Sequence, residues 1–183
     1  DAREAAERMR GVFRRLYFEG EADNISPLKA LALYDEFREL TPAGPEGNIM
    51  IQKLAERLVN VDLLDKASDV LSHQVKFRLK GEEKAGVGTK LALIRLIARD
   101  PQGALGALRD SFYPNVSLEI ENDRRRIRAK AEFELGKAND AIALLAGDIS
   151  READLLRSAI YFREQNWGEA GKVYQRLVGD PPV

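Results

Sequence analysis

The chain has 183 residues, of which 44% are hydrophobic and 32% charged, a composition typical of a soluble, helix-rich protein that is large enough for a continuous core. It contains no cysteine, which excludes disulfides and thiolate chemistry and is compatible with either the cytoplasm or the periplasm. The formal net charge of −1 argues against a general nucleic-acid partner, because such a partner requires a basic surface. No apolar run approaches the roughly 20 residues that a membrane-spanning helix needs.

Apolar spacing and helix-boundary residues predict ten helices in five pairs and no strand. The first helices of the pairs are predicted at about 2–19, 48–61, 89–99 and 118–135, and after a Ser150 cap. Of the second helices, the first is predicted to begin after Ser26 and the second to cover about 64–79. The third is predicted to begin after Asp100, the fourth to end at Gly147, and the fifth to begin near Trp167. Two glycine-containing segments are predicted to be loops, namely 41–47 and 81–88.

The start of the chain carries one further expectation. The sequence begins at Asp1 instead of a methionine, and its first residues already have a helical pattern. We therefore expect residues 1–183 to form a single helical domain excised from a longer protein.

Small residues recur at matching places in the predicted helix pairs. An alanine returns at intervals of 37, 37, 37 and 29 residues, and we call this set the repeated alanines: Ala30, Ala67, Ala104, Ala141 and Ala170. Large apolar residues follow them by four positions: Tyr34, Leu71, Leu108, Leu145 and Tyr174. Small residues lie twelve positions before each of the last four repeated alanines: Ala55, Ala92, Ala129 and Ser158. Apolar residues lie eight positions before the same four alanines: Val59, Leu96, Phe133 and Phe162. A fixed period of this kind favours stacked helix pairs over an ordinary bundle with chance core alanines, which is the alternative.

These residues resemble the tetratricopeptide repeat family. The segment Leu135–Ala141 is similar to that family's turn between its two helices. The stretch Tyr161–Pro182 is closer still, and within it Asn166–Ala170 resembles the turn with its aromatic residue. Tyr174 and Pro182 resemble the ending of a repeat, as do Tyr34, Phe37 and Pro42 in the first pair. The resemblance implies an all-α fold, an α-solenoid of about five antiparallel helix pairs forming a right-handed superhelix. The chain departs from the family in its longer period, in the missing terminal proline of the three middle pairs, and in polar residues late in the second helix: Gln74, Ser111 and Asp148.

The resemblance also implies a concave groove lined by the first helices. Counting back from the repeated alanines gives the residues expected to bind a partner: Gln52, Glu56, Asn60, Arg126, Lys130, Glu134 and Arg163. The function expected from this groove is that of a non-catalytic protein–protein interaction scaffold that binds a peptide or a partner helix, as part of a bacterial assembly or envelope protein.

The sequence gives little support for catalytic activity. His73 is the only histidine and is expected on a half-exposed helix face. Residues 81–90 are superficially similar to a phosphate-binding loop, but Thr89 precedes Lys90 and no strand leads into the segment. We therefore expect no enzymatic activity, no catalytic residue, no metal and no cofactor.

Two alternative functions remain open from the sequence. The basic run 124–130 suggests a nucleic-acid-binding helical repeat, although flanking acidic residues favour a solvated helix with internal ion pairs. The other alternative is a structural or regulatory spacer domain of a larger enzyme.

Overall fold

A computed structural model describes residues 25–179 of the chain together with Arg8 and Gly11, and for Leu40 the backbone only. This part of the chain contains nine α-helices, one short 3-10 helix and no strand, which confirms the all-α prediction. Apart from Arg8 and Gly11, the predicted helix over 2–19 lies outside the described residues. None of the helices between residues 25 and 179 is long and apolar enough to cross a membrane.

The chain divides into two compact units, with the boundary in the sequence between Lys80 and Gly81, and each unit is described by itself. In unit one, α1 covers Pro27–Glu36, a 3-10 helix covers Arg38–Leu40, α2 covers Pro45–Asn60 and α3 covers Leu64–Phe77. Helices α2 and α3 are joined by a short loop and pack against each other, and α1 packs on α2.

Unit two consists of three consecutive helix pairs. The first pair is α4, Gly81–Ile97, with α5, Pro101–Asp110; the second is α6, Leu118–Glu134, with α7, Ala138–Leu144; the third is α8, Arg151–Arg163, with α9, Trp167–Val178. The two helices of each pair pack together. In addition, α6 packs on α4 and α5, and α8 packs on α6 and α7, so that each pair contacts the next pair along the chain.

Polar side chains begin four of these helices where the sequence predicts. The side chains of Ser26, Asp100, Ser150 and Asn166 each accept a hydrogen bond from a backbone N–H in the first helical turn. Such caps satisfy amide groups that have no partner within the helix, and therefore fix the residue at which each helix begins.

The predicted loop over 81–88 is wrong, and the predicted loop over 41–47 is confirmed only for residues 41–44, because Gly81, Gly86, Gly88 and Gly47 belong to helices. Helix α4 begins at Gly81 and not near Thr89, and α2 begins at Pro45, which shortens the predicted loop over 41–47. A Cβ atom added to Gly88 would lie 1.9 Å from Ser111 Oγ, and one added to Gly47 would lie 1.9 Å from the carbonyl oxygen of Pro42. These glycines allow close packing of neighbouring segments and do not terminate a helix.

The repeated alanines are all buried, and so are the small residues twelve positions before them: Ala55, Ala92, Ala129 and Ser158. In unit two, Ala129 and Ala141 join Leu145, Ala153 and Ile160 in one hydrophobic cluster that connects α6, α7 and α8. Undersized side chains therefore occupy the core positions of successive pairs, where they let helices approach closely.

Candidate functional site

Four of the seven residues predicted to bind a partner lie in unit two. Arg126, Lys130 and Glu134 are four residues apart and therefore lie along one side of α6. The guanidinium carbon of Arg163 lies 5.0 Å from the centroid of the Phe133 ring, which places this α8 residue beside the carboxyl end of α6. The structure thus places Arg163 next to Phe133, which directly precedes Glu134 in the sequence.

The first helices of unit two expose apolar as well as charged side chains. Lys130, Glu134 and Arg163 are exposed, and Leu93 on α4 and Leu155 on α8 are 45% and 50% exposed. On α4, Ile97 lies one helical turn beyond Leu93 and is also exposed. We call this set the first-helix surface: Leu93, Ile97, Lys130, Glu134, Leu155 and Arg163.

Helix α6 lies alongside α4 in this surface. Arg124 contacts Thr89, and Ile120 is the side chain nearest to the position of a Cβ on Gly86. The residue numbers increase together along the two helices, so that they run in the same direction. The exposed residues further along α4 and α6 therefore also lie side by side. Helices α4 and α6 are the first helices of two adjacent pairs.

The remaining three predicted residues lie in unit one. Gln52, Glu56 and Asn60 follow one side of α2 at the spacing of a helical turn; Gln52 is half-buried, and Glu56 and Asn60 are exposed. The binding of a partner by these three residues remains a prediction.

Arg126 is engaged within the fold. Its guanidinium group donates to Asp148 Oδ2 at 2.9 Å, to Ser150 Oγ at 3.2 Å and to Asp123 Oδ1 at 2.5 Å. The side chain of Asp148 is only 6% exposed. Arg126 therefore ties α6 to the segment between α7 and α8, in addition to the partner binding predicted for it.

A second arginine of α6 has no carboxylate among its hydrogen-bond acceptors. Arg124 donates to the carbonyl oxygen of Ala85 at 3.0 Å, to Thr89 Oγ1 at 3.2 Å, to Ser111 Oγ at 3.1 Å and to the carbonyl oxygen of Leu108. Burial lowers the pKa of this guanidinium below its usual value. Arg124 thus joins α6 to both helices of the preceding pair through neutral acceptors.

The same arrangement recurs one pair later. Arg157 of α8 donates to the carbonyl oxygens of Leu145 and Asp148 at the end of the preceding pair. Leu145 occupies the position equivalent to Leu108, 37 residues further on. In both cases an arginine on the first helix of one pair satisfies a carbonyl near the end of the pair before it, where helical carbonyls lack internal partners.

The polar residues that depart from the family pattern are buried and hydrogen-bonded. Gln74 Nε2 donates to the carbonyl oxygen of Asn48 at 2.9 Å, and Ser111 Oγ donates to the carbonyl oxygen of Ala107 at 2.6 Å. Asp148 accepts from Arg126, as described above. Their 37-residue spacing is visible in the sequence and marks one repeated position, but it does not show which partner each side chain reaches.

The prediction of a solvated helix with internal ion pairs holds only in part for the first three arginines of the basic run. Arg124 bonds to the preceding helix pair, whereas Arg125 donates to Asn122 within α6. Arg126 forms the expected kind of internal ion pair, with Asp123, and also reaches Asp148 and Ser150 in the segment between α7 and α8. Of the remaining basic residues in that run, Arg128 and Lys130 are exposed. The basic surface of α6 is therefore smaller than the sequence suggests.

The only histidine lies beside a small cavity in unit one. A space of about 280 Å³ between α1 and α3 is lined by apolar and charged side chains, including Tyr34, Arg38, Lys66, Asp69 and His73. Burial, and then the charges of Arg38 and Arg78, lower the pKa of His73. Within residues 25–179, no group of three or more His, Cys, Asp or Glu side chains could hold a metal ion.

Comparisons with known proteins identified no relative. No family model matches the chain, no curated protein matches it, and no solved structure matches it.

Two buried aspartates of unit two have pKa values below their usual range. The side chain of Asp154 accepts hydrogen bonds from Arg176 at 2.9 and 3.1 Å and from Arg157 at 2.6 Å. The bonds from Arg176, and then those from Arg157, outweigh burial and hold the pKa of Asp154 below its usual value. Burial would raise the pKa of Asp148, but hydrogen bonds from Ser150 and Arg126 outweigh it and lower that pKa as well.

Acid should therefore destabilise unit two. A depressed carboxyl pKa contributes stability that is complete above the unfolded pKa of about 3.9 and is lost as the pH falls through the folded pKa. We expect the free energy of unfolding, measured by urea titration from pH 7 to pH 2, to fall below about pH 4. The Asp154→Asn variant should be about 1–3 kcal/mol less stable than the unchanged protein at pH 7, because two arginines lose their charged partner. For the same reason its free energy of unfolding should fall less steeply as the pH is lowered. The exposed Asp110→Asn serves as control, and an equal acid response in both variants would contradict the assignment.

Proposed function

We propose that the chain is a tetratricopeptide-like α-solenoid of about five antiparallel helix pairs, and that it acts as a non-catalytic protein–protein interaction scaffold. The observation that carries this proposal is the burial of the repeated alanines in every pair, together with the packing of each pair of unit two on the next. A stack of this kind presents its first helices side by side as one extended binding surface.

The chemistry of the first-helix surface suits a peptide or a partner helix. Leu93, Ile97 and Leu155 offer exposed apolar area on the two outer helices, while Lys130 and Glu134 on α6 supply charges of both signs. Apolar anchors in such a surface provide most of the binding energy, and charges at their edges select the orientation of the partner. The ligand that fits is an amphipathic segment with two apolar anchors separated by polar residues.

The contacts of the basic run favour this function over nucleic-acid binding. Phosphate recognition needs several free cationic side chains on one face. Here the guanidinium group of Arg124 is bonded to the preceding helix pair and that of Arg126 to Asp123, Asp148 and Ser150, and α6 keeps Glu134 on the same side as Lys130. The surface is thus mixed in charge and not uniformly basic.

Selection of binding peptides from a random displayed library tests the proposal. We expect enriched peptides with two apolar anchors, and we expect Leu93→Asp and Leu155→Asp each to weaken their binding by about tenfold or more, as is usual for central interface residues. Both side chains are half exposed, so the variants should remain folded. The control is Ile149→Asp, which changes an exposed isoleucine outside the surface.

The proposal predicts that binding survives Ile149→Asp and is lost in the two surface variants. Failure to enrich any peptide, or equal binding by all three variants, would contradict it. Retention of binding at about 0.5 M salt would further separate a peptide site from a nucleic-acid site, whose affinity falls steeply with salt.

A further inference from the structure

The cavity between α1 and α3 in unit one combines an apolar floor with a charged rim. Leu31, Tyr34 and Val70 are buried and His73 is half-buried, whereas the charged lining residues, among them Lys66, are exposed. We call this space of about 280 Å³ the α1–α3 cavity. Ligand pockets begin at about 300 Å³, so that the cavity suits a small organic molecule.

Two hydrogen-bonding groups of the lining have no partner in the part of the chain that the structure describes. The hydroxyl oxygen of Tyr34 and the Nδ1 atom of His73 are both buried, and neither makes a hydrogen bond there. Tyr34 as a whole is only 1% exposed. A buried polar atom without a partner destabilises a fold, so that each one in a native structure calls for an explanation, such as a bound molecule.

The repeat indicates that helix stacking does not require these side chains. Two 37-residue intervals further on, the positions of Tyr34, Arg38 and His73 carry residues that have neither a charge nor a side-chain hydrogen-bonding group: Leu108, Phe112 and Gly147. Leu108 is buried, as Tyr34 is. An apolar side chain therefore fills this position of a helix pair equally well, and the Tyr34 hydroxyl is not a requirement of the fold.

The charges around the cavity favour an anion. The lining contains two carboxylates, of which Asp35 is ion-paired with Arg38 at 2.6 Å and Asp69 lies at the exposed rim. Lys66, in contrast, has no ion pair with any other described residue. A further cation, Arg78, acts electrostatically on both Tyr34 and His73. Three cations thus stand against two carboxylates, one of which is already neutralised.

The polar groups of the floor are uncharged at neutral pH. Burial raises the pKa of Tyr34, and burial, followed by the charges of Arg38 and Arg78, lowers the pKa of His73. The tyrosine O–H is a hydrogen-bond donor, and so is the imidazole in the tautomer that carries its proton on Nδ1. Two neutral donors beside cations are a donor set that suits a carboxylate.

We propose that the α1–α3 cavity binds a small organic acid. Its carboxylate accepts hydrogen bonds from Tyr34 and His73 and faces the charges of Arg38 and Lys66, and its hydrocarbon part packs on the apolar floor. None of these residues belongs to the first-helix surface, so that the inference goes beyond the function proposed above.

Binding of 4-methylpentanoate to the whole chain tests the proposal, with the neutral 4-methylpentanamide as a ligand of nearly equal size. His73 is the only histidine, so that its imidazole protons give one set of NMR resonances. We expect the acid to shift these resonances at neutral pH with a Kd of about 1 mM or below, as suits a ligand of this size. The amide should bind about tenfold more weakly or worse, because it brings no counter-charge to the cations.

Two lysine variants of α3 locate the site. Lys66→Met should weaken binding of the acid by about threefold or more, which is the effect of losing one exposed charge partner. Lys76→Met is the matched control, since Lys76 is also exposed on α3 but does not line the cavity, and it should leave the Kd unchanged.

The Tyr34→Phe variant separates binding from stability. It should weaken binding by about tenfold, because the carboxylate loses a hydrogen bond. Its thermal midpoint should stay unchanged or rise, because the substitution removes a buried hydroxyl that has no partner among the described residues. A lower midpoint with unchanged binding would show that the hydroxyl serves the fold instead.

His73 resonances that do not move up to about 10 mM 4-methylpentanoate, well above the expected Kd, would overturn the proposal. Equal affinity for the acid and the amide would do the same, since a cavity that holds only water does not select a charge. Equal Kd values for the two lysine variants would show that the acid binds elsewhere.

Discussion

Replacement of Arg124 by leucine should lower the free energy of unfolding of unit two by about 1–3 kcal/mol. The side chain donates to two backbone carbonyls and two hydroxyl groups of the preceding helix pair, and Ser111, one of the hydroxyl partners, is fully buried. Leucine keeps most of the volume but leaves the Leu108 carbonyl without its guanidinium donor. A buried acceptor without a partner loses the hydrogen bond that water would provide in the unfolded chain.

The matched control for this prediction is Arg128→Leu, which makes the same substitution at an exposed position of the same helix. It should change the stability by no more than about 0.5 kcal/mol. Arg124→Lys should recover only a small part of the loss, because a single ammonium group does not match the fork of guanidinium donors. Urea denaturation followed by circular dichroism measures all three variants. Equal losses for the two leucine variants would show that Arg124 does not connect the pairs.

Replacement of Gly88 by alanine should destabilise unit two by about 2–3 kcal/mol. The added Cβ would lie 1.9 Å from Ser111 Oγ and 2.2 Å from Ser111 Cβ, so that α4 and the end of α5 would have to separate. Gly86→Ala on the same helix is the matched control. Its Cβ would have only Ile120 Cδ1 nearby, at 3.7 Å, and the higher helix propensity of alanine should stabilise the helix by about 0.5–1 kcal/mol.

The two glycine variants should therefore shift the thermal midpoint in opposite directions. The combination of Gly88→Ala with Ser111→Gly should lose less stability than the sum of the single changes, because it removes the atoms that the new methyl group meets. If Gly88→Ala and Gly86→Ala were tolerated equally well, the close crossing of α4 and α5 would be refuted.

Local sequence signals predicted the helices well where the relevant chemistry is itself local. Ser26, Asp100 and Ser150 cap helices at the predicted places because a cap needs only a side-chain oxygen and the next few amides. The 37-residue spacing of small residues likewise predicted which alanines are buried. The burial of Ala104 and Ala141 follows from the repeat and does not require knowledge of the neighbouring helix.

Features that depend on distant residues were not predictable in this way. Glycine is typical of loops and also of close helix contacts, and only the position of Ser111 shows that Gly88 belongs to the second class. The arginines of α6 have acidic neighbours one helical turn away, yet Arg126 also reaches Asp148, 22 residues further along the chain. Sequence spacing does not show which of these acceptors a long side chain will reach.

The candidate site was predictable only in part. Lys130, Glu134 and Arg163 are exposed as the family resemblance implies. The exposed apolar residues of the same surface, Leu93 and Leu155, were not nominated, because leucine at helical spacing normally indicates a core position. Their exposure is evident only when the neighbouring helices are in place.

The central claim is that successive helix pairs stack because small side chains occupy the places where the helices meet. The most direct measurement is the free energy of unfolding of Ala141→Leu against that of Ala143→Leu, two substitutions on α7, since Ala141 is fully buried and Ala143 is exposed. The stacked arrangement predicts a loss of about 1–3 kcal/mol for Ala141→Leu, through overpacking, and a change within about 0.5 kcal/mol for Ala143→Leu. Equal stability of the two variants would contradict it.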